Sequence, residues 1–153
     1  MGKNINVKSP IRVAVYCRVA TNHLNQQNSI EAQKKPLIKL INSNPNWELV
    51  AIYSDQGLSG ISTKESVQFN KMIVDANVNK KIDLIITKDA SRFSRNTLDM
   101  LTHIRELNSN NVNVFFVNEK VSAMETYGGF RLKLMASFAQ AERRIKTMRS
   151  LNQ

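Results

Sequence analysis

The stretch of sequence that decides the fold is Ile11-Arg-Val-Ala-Val-Tyr-Cys-Arg-Val19, which Ala20 and Thr21 follow. Its core at residues 13–19 is short, apolar and rich in β-branched residues, which is typical of a buried strand. A short polar segment comes next and leads to a helix. The carboxyl ends of such strands are where α/β proteins gather functional groups, so we expect chemistry close to Arg18 and Ala20.

Strand patterns and helix patterns alternate along the rest of the chain. Further strands are predicted at residues 47–53, 82–87 and 112–117, with a short edge strand at 121–123. Helices are predicted to begin at a capping box at residues 28–31, at Val67, at Asn96 or Thr97, and at about Glu125. Pro36 should kink the first helix or delay its start.

This alternation predicts a three-layer α/β/α domain with a mostly parallel central sheet of four to five strands and a long C-terminal helix. Because the carboxyl ends of parallel strands lie at one edge of the sheet, three segments should meet there. They are residues 18–21, a Gly/Ser loop at 54–62 and a basic loop at 88–95. We divide the chain into a flexible segment at 1–10, an α/β domain at 11–124 and a long helix at 125–153.

The composition limits the class of protein. The chain has 153 residues, of which 42% are hydrophobic, which suffices for the core of one domain. A single cysteine, Cys17, excludes an internal disulfide and fits a cytoplasmic protein. No apolar run approaches the ~20 residues of a membrane span. The polar segment at residues 1–10 does not have the apolar core of a secretory signal.

The charge favours a polyanionic partner. The net charge is +10, from 22 basic and 12 acidic residues, which points to nucleic acid first and an anionic membrane surface second. The two histidines and the cysteine are widely spaced and form no metal-site pattern. Glycine-rich loops of the dinucleotide or Walker type are absent from the sequence. We therefore expect no metal, no cofactor, no bound nucleotide and no membrane.

The strongest chemical signal is the loop Thr87-Lys-Asp-Ala-Ser-Arg-Phe-Ser-Arg-Asn96. Arg92 and Arg95 follow a predicted strand and precede a predicted helix, so their guanidinium groups can converge on one phosphate. The N-terminus of the following helix adds a favourable dipole. Two solvated arginines would satisfy the same pattern, so this loop alone does not identify a function.

Six motifs occur in order along the chain and together resemble one family. They are Tyr16-Cys-Arg-Val-Ala-Thr21, Asn28-Ser-Ile-Glu-Ala-Gln33, Tyr53-Ser-Asp-Gln-Gly-Leu-Ser-Gly60, Phe69-Asn-Lys-Met-Ile73, Ser91-Arg-Phe-Ser-Arg-Asn-Thr97 and Ala139-Gln-Ala-Glu-Arg143. From Ile11 to about Arg144 the chain resembles the catalytic domain of serine recombinases, the resolvase/invertase family of site-specific DNA recombinases. It looks most like the branch of large serine integrases and transposon recombinases.

The resemblance implies DNA strand cleavage and rejoining on a resolvase-like domain at residues 11–124. In the family, a serine at the end of the first strand attacks a DNA phosphodiester, forms a 5′-phosphoserine link and releases a 3′-hydroxyl, with neither metal nor ATP. Fixed positive charge must then stabilise the transferring phosphoryl group. The implied residues are Arg18, Arg92 and Arg95 as phosphate-binding groups, Gln33 and Asp55 as polar residues lining the site, and Tyr16 as the anchor of the strand end.

Two positions depart from the family pattern. The nucleophile position holds Ala20, and a third family arginine falls on Ser66, with Lys64 nearby as a substitute charge without bidentate geometry. Ala20 would leave the chain inactive as written, as an engineered knock-out or a natural degenerate copy, and Ser66 favours the second explanation. The chain is therefore interpreted as a recombinase catalytic domain without its nucleophile, or as a dead resolvase-like protein that binds DNA or co-assembles with an active partner.

The predicted C-terminal helix carries an apolar stripe and a basic face. In the family this helix joins subunits and then leads into DNA, which implies a homodimer or homotetramer on double-stranded DNA. The predicted oligomer interface consists of Phe138, Glu142, Ile145 and Met148. The predicted DNA contacts are Arg131, Lys133, Arg143, Arg144, Lys146 and Arg149. Since the chain ends at Gln153, we expect it to stop before a separate C-terminal DNA-binding domain.

Overall fold

The structure is a computed structural model that describes residues 9–20, 29–57, 66–94, 96–125, 135–136, 138–140, 143–144 and 147–148. The predicted alternation of strands and helices is confirmed. The elements are β1 (Ile11–Ala20), α1 (Ile30–Asn42), β2 (Trp47–Gly57), α2 (Val67–Asn77), β3 (Leu84–Thr87), α3 (Ala90–Phe93), α4 (Thr97–Ser109), β4 (Asn113–Phe116) and β5 (Val121–Ser122).

Within these residues the strands form one sheet in the order β2-β1-β3-β4-β5. The first four strands in this order run parallel, and β5 is an antiparallel edge strand beside β4. The mostly parallel sheet and the short edge strand predicted from the sequence are both confirmed. The carboxyl ends of β1, β2 and β3 therefore lie at the same edge of the sheet.

Strand β1 lies inside the sheet and is buried on both faces. Ala14 and Tyr16 belong to one hydrophobic cluster, and Val13, Val15 and Cys17 belong to the other; each is at most 1% exposed. Successive side chains of a strand point to opposite faces, so a strand between two helical layers must be apolar at nearly every position. This explains why the opening stretch reads as a continuous apolar run.

The helices cover the two faces unequally. Helix α1 packs on one face through Leu37 and Ile41. The other face is covered by α2, α3 and α4, which contribute Phe69, Phe93 and Met100 among other side chains. These two layers on either side of the sheet make up the predicted three-layer domain.

Side chains cap the helices close to the predicted starts. Ser29 Oγ accepts from the Ala32 backbone N–H at 3.1 Å, so the cap of α1 is one residue later than the predicted capping box. Pro36 lies inside α1, and the helix begins at Ile30 without the predicted delay. Asn96 caps α4 by accepting from the Asp99 backbone N–H at 2.8 Å, which confirms that prediction.

Two segments differ from the sequence prediction. Strand β2 continues to Gly57, although residues 54–57 were predicted as loop, because they pair with the end of β1 in a register that joins Arg18 to Asp55 and Ala20 to Gly57. The basic loop at 88–95 contains the short helix α3. In both segments, contacts with distant parts of the chain override the local polar pattern.

A single long C-terminal helix is not evident in the described residues. Glu125 lies in a bend where its carboxylate accepts from the Ser122 backbone N–H at 3.3 Å, so the helix does not begin there. Residues 135–136, 138–140, 143–144 and 147–148 are helical. The remaining residues of that prediction, and most of the segment at 1–10, lie outside the described residues, and the division of the chain at residue 125 stays a prediction. Among the described residues, no helix is long and apolar enough to span a membrane.

Candidate functional site

The carboxyl ends of β1 and β3 bring two of the predicted arginines together. Arg18, near the end of β1, donates through Nη2 to the backbone carbonyl of Ser91 in α3. Arg92, also in α3, donates in the opposite direction, from Nη1 to the backbone carbonyl of Arg18 at 3.2 Å. Each guanidinium group thus forms a hydrogen bond between β1 and α3. Two fixed positive charges at one strand end are suited to an anionic ligand.

Helix α3 holds Arg92 through its own N-terminal cap. Asp89 Oδ1 accepts from the Arg92 backbone N–H at 3.0 Å and from the Ser91 hydroxyl at 2.6 Å. The side chains of Ala90 and Phe93 are buried in the hydrophobic core beneath the turn. Because one side of α3 is buried in this way, the polar residues between them stay at the edge of the sheet.

Gln33 lies next to Arg18. It is 2% exposed, and its Nε2 donates to the Arg18 backbone carbonyl at 3.1 Å. That carbonyl therefore accepts from both Gln33 and Arg92. In the structure Gln33 holds the end of β1 by this hydrogen bond, and its role as a polar residue lining the site stays a prediction.

Asp55 is buried and joins three elements. Its Oδ2 accepts from the Tyr16 hydroxyl at 2.9 Å and from the Phe69 backbone N–H at 2.9 Å, and its Oδ1 accepts from the Gln68 backbone N–H at 3.0 Å. Ser66 makes no side-chain capping bond at the start of α2, so Asp55 supplies that cap from β2. A carboxylate at a helix N-terminus also meets a favourable dipole.

Tyr16 is held at the strand end by the hydrogen bond from its hydroxyl to Asp55. Burial raises the pKa of its phenol, and the negative charge of Asp55 raises it further. The side chains of Ser66 and Arg18 oppose this rise in pKa. Tyr16 therefore stays protonated and acts as a hydrogen-bond donor that fixes the strand end.

The positions that depart from the family pattern lie near this site. Ala20 is the last residue of β1, and its backbone pairs with Gly57 of β2. Ser66, where an arginine was expected, is the N-cap residue of α2 and is partly buried. Arg95 and Lys64 lie outside the described residues. The structure thus brings together Arg18, Arg92, Gln33 and Tyr16.

The C-terminal predictions are only partly visible. Phe138, predicted at an oligomer interface, is 9% exposed and packs in the core of its own chain. Arg143, Arg144 and Met148 are exposed. The other predicted interface and DNA-contact residues lie outside the described residues: Arg131, Lys133, Glu142, Ile145, Lys146 and Arg149. Among the residues described, no group of three or more His, Cys, Asp or Glu side chains could hold a metal ion.

One residue of this region was missed by sequence reasoning. Glu119, in the turn between β4 and β5, accepts from the Ala90 backbone N–H at 2.8 Å through Oε2. Burial raises the pKa of its carboxyl to about 7, and the charge of Asp89 contributes to the rise. The only available signal was an acidic residue after the fourth predicted strand, at the edge where the arginines gather.

Comparisons with known proteins identify the family of the chain. A family model for the resolvase N-terminal domain matches residues 13–153. The Tn3 transposon resolvase of Escherichia coli is 26% identical over 134 residues, which cover 88% of this chain but 65% of that protein, so the chain spans less than two thirds of this relative.

Solved structures of similar proteins have the same fold. A resolvase family site-specific recombinase from Streptococcus pneumoniae superposes with a TM-score of 0.68 at 29% identity, over 92% of this chain and 95% of that one. The N-terminal catalytic domain of TP901-1 integrase superposes with a TM-score of 0.64 at 25% identity, over 88% of this chain and 98% of that one. The match of the family model over residues 13–153 shows that this chain belongs to the resolvase N-terminal domain family.

Proposed function

We propose that this chain is the catalytic domain of a site-specific DNA recombinase and that it is inactive as written because Ala20 stands at the nucleophile position. The observation that carries the proposal is the meeting of Arg18 and Arg92 at the end of the strand that ends in Ala20. Family membership supports the reaction class, and the net charge of +10 supports a DNA substrate.

The proposed reaction needs a phosphate clamp and an attacking oxygen. Arginines offer bidentate donors to the non-bridging oxygens and stabilise the charge that develops in the transition state. The hydroxyl oxygen of a serine at position 20 would bond to phosphorus and lose its proton, the bond from phosphorus to the 3′-oxygen would break, and the 3′-oxygen would take up a proton and leave as a hydroxyl. Alanine has no oxygen for this attack, so the chain as written would bind the phosphate without cutting the strand.

The second candidate is a DNA-binding or co-assembling protein that has lost catalysis by degeneration. The observation that favours it is Ser66, which stands where the resemblance implies a further arginine and which begins α2 beside Tyr16. A chain with one engineered change at Ala20 would keep that arginine. Loss of both groups is the expected result of relaxed selection on the active site.

Restoring the missing groups distinguishes the two candidates. Ala20→Ser, alone and with Ser66→Arg, would be placed in a full-length scaffold with a DNA-binding domain of known site, and covalent protein–DNA adducts would be counted on denaturing gels. Adducts from Ala20→Ser alone would support a recombinase with a single lesion. Adducts that need both changes would indicate a recombinase with two lesions, and none with both would support the binding-only protein. Arg92→Ala added to an active variant should abolish the adducts and serves as the control.

Assembly through the C-terminal segment is part of the same proposal. Met135 and Met148 are 50% and 68% exposed, and apolar side chains of that size on a helical segment favour burial against a second subunit. The exposed Arg143 and Arg144 suit contact with the DNA backbone. Sedimentation of the chain over a range of concentrations should reveal a weak dimer that Met148→Glu dissociates, and a monomer at every concentration would contradict the proposed interface.

A further inference from the structure

The turn between β4 and β5 is joined to the segment that carries Arg92. The Val117 backbone N–H donates to the Thr87 carbonyl at 3.0 Å, and the Asn118 N–H donates to the Lys88 carbonyl at 2.8 Å. Glu119 continues this series with its side chain, since Oε2 accepts from the Ala90 N–H at 2.8 Å. The turn therefore follows the chain from the end of β3 into the first residue of α3.

The Ala90 contact lies next to the groups that hold the arginines. Ser91, the following residue, offers the carbonyl that accepts from Arg18, and the next residue is Arg92 itself. Ala90 is fully buried. Because Ser91 and Arg92 follow it directly, movement of the Ala90 backbone would displace both residues. A shift of about 1 Å in a positioning contact is enough to weaken a site that depends on converging charges.

We propose that Glu119 is a positioning residue that fixes the start of α3 so that Arg18 and Arg92 act on the same phosphate. The inference rests on the proposed function, because it assumes that these arginines bind DNA phosphate. Glu119 itself touches the backbone of Ala90 and acts on the ligand only through the arginines.

The electrostatic surroundings give Glu119 a measurable signature. Burial is the main cause that raises the pKa of its carboxyl to about 7, the charge of Asp89 raises it further, and the Ala90 N–H favours the ionised form. The basic residues nearest in sequence on the two joined segments are Lys88 and Lys120. The Ala90 amide should therefore report the titration of Glu119 near neutral pH.

The first experiment is a double-mutant cycle in the chain as it exists. Binding to a short fluorescent DNA duplex at low salt would be measured for Arg92→Ala, Glu119→Ala and the double variant, with Glu106→Ala on the exposed side of α4 as the matched control. We expect Arg92→Ala and Glu119→Ala each to weaken binding about fivefold, the size of one lost hydrogen bond. The double variant should lose less affinity than the two single losses combined, because part of the loss from Glu119→Ala passes through Arg92.

Failures of the inference and of the proposed function are distinguishable in this cycle. Unchanged binding by Arg92→Ala would overturn the phosphate role of the arginine, and the inference with it. A loss for Arg92→Ala with no loss for Glu119→Ala, or with full additivity in the double variant, would overturn the inference alone. Glu106→Ala should bind like the unmodified chain.

The second experiment keeps the inference testable if Glu119→Ala fails to fold. Glu119→Gln retains an acceptor of similar shape, so it should bind DNA within about twofold of the unmodified chain. In nuclear magnetic resonance spectra from pH 5.5 to 8.5, the Ala90 amide should titrate with a midpoint near 7 in the unmodified chain and should be flat in Glu119→Gln. Titration that persists in Glu119→Gln would assign it to another group. An Ala90 amide with the same chemical shift in Glu119→Gln and in the unmodified chain at every pH would overturn the contact on which the inference depends.

Discussion

The two ends of β1 each carry an arginine, and the structure uses them differently. At the amino end, Arg12 forms a paired contact with Asp83, in which Nε and Nη2 each donate to a carboxylate oxygen at 3.0 Å. At the carboxyl end, Arg18 donates to a backbone carbonyl of α3, and its own carbonyl accepts from Gln33 and Arg92. At the amino end the arginine side chain is paired with a carboxylate, whereas at the carboxyl end the backbone carbonyl of the arginine accepts the hydrogen bonds.

This difference separates the body of the domain from its site. The ion pair of Arg12 and Asp83 lies within the fold and contributes to its stability. Because the pair is partly exposed, that contribution is small. At the carboxyl end, Gln33 donates to the Arg18 carbonyl and Asp89 accepts from the Arg92 backbone N–H, and these bonds set where the two guanidinium groups lie. Removing groups from one end or the other should therefore change different measurable properties.

The largest effect is expected from Asp55→Ala, which would show that the carboxyl end also supports the fold. The change leaves the Tyr16 hydroxyl and the backbone N–H groups of Gln68 and Phe69 without their acceptor. Because buried donors without a partner are costly, the free energy of unfolding should fall by about 3 kcal/mol. Urea unfolding measures this, with Tyr16→Phe as the milder comparison at about 1 kcal/mol. Equal losses for the two variants would contradict the capping role of Asp55.

A smaller loss of stability is expected from Arg12→Ala at the amino end. The side chains of Arg12 and Asp83 are both 41% exposed, so the free energy of unfolding should fall by only about 1 kcal/mol. DNA affinity should fall only by the small amount expected from the loss of one positive charge far from the site. A marked loss of affinity at 150 mM salt would remove the functional distinction between the two ends of the strand.

The salt dependence of DNA binding should distinguish the arginine at the carboxyl end of β1 from the arginine at its amino end. Plots of the logarithm of affinity against the logarithm of salt concentration should fall steeply for the unmodified chain, and Arg18→Ala should reduce the slope by about 1, the contribution of one phosphate contact. Arg12→Ala is the matched control and should keep the original slope. Affinity that does not respond to salt would contradict backbone contact altogether.

The smallest expected effect is the pH dependence at the amino end. Hydrogen bonding from Arg12 is the main cause that lowers the pKa of Asp83 below its ordinary value of 3.8. A lowered pKa in the folded state contributes stability that is present above pH 3.8 and is lost as the pH falls through the folded value. The unmodified chain should therefore lose stability more steeply than Asp83→Asn on acidification below pH 4, as measured by thermal unfolding. Parallel curves would show that the pair contributes nothing.

Glu119 has the opposite sign of pH dependence. Its raised pKa of about 7 contributes stability that is present below about pH 4.5 and is lost as the pH rises through 7. Thermal unfolding between pH 4.5 and 8 should show the unmodified chain losing stability relative to Glu119→Gln as the pH rises. A difference that does not vary over this range would show that the Glu119 carboxyl has an ordinary pKa.

Much of the fold could be predicted because its signals are local. The continuous apolar run of β1 follows from burial on both faces, and the Asn96 cap follows from a side chain that meets the backbone three residues later. The end of β2 could not be predicted, since Ser54-Asp-Gln-Gly57 is locally a loop pattern and becomes a strand through pairing with β1. The cap of α2 was also hidden, because its acceptor, Asp55, precedes the helix by more than ten residues.

The sequence by itself determined the strand that ends near Ala20, the alanine at that position, and the presence of Arg18 and Arg92 beside predicted strand ends. Only the tertiary structure decided that Arg18 meets Ser91, that Asp55 caps α2 and that Glu119 supports Ala90. The physical reason is the distance along the chain. Arg18 and Ser91 are 73 residues apart, and such contacts form only when the packed sheet brings the strand ends to one edge.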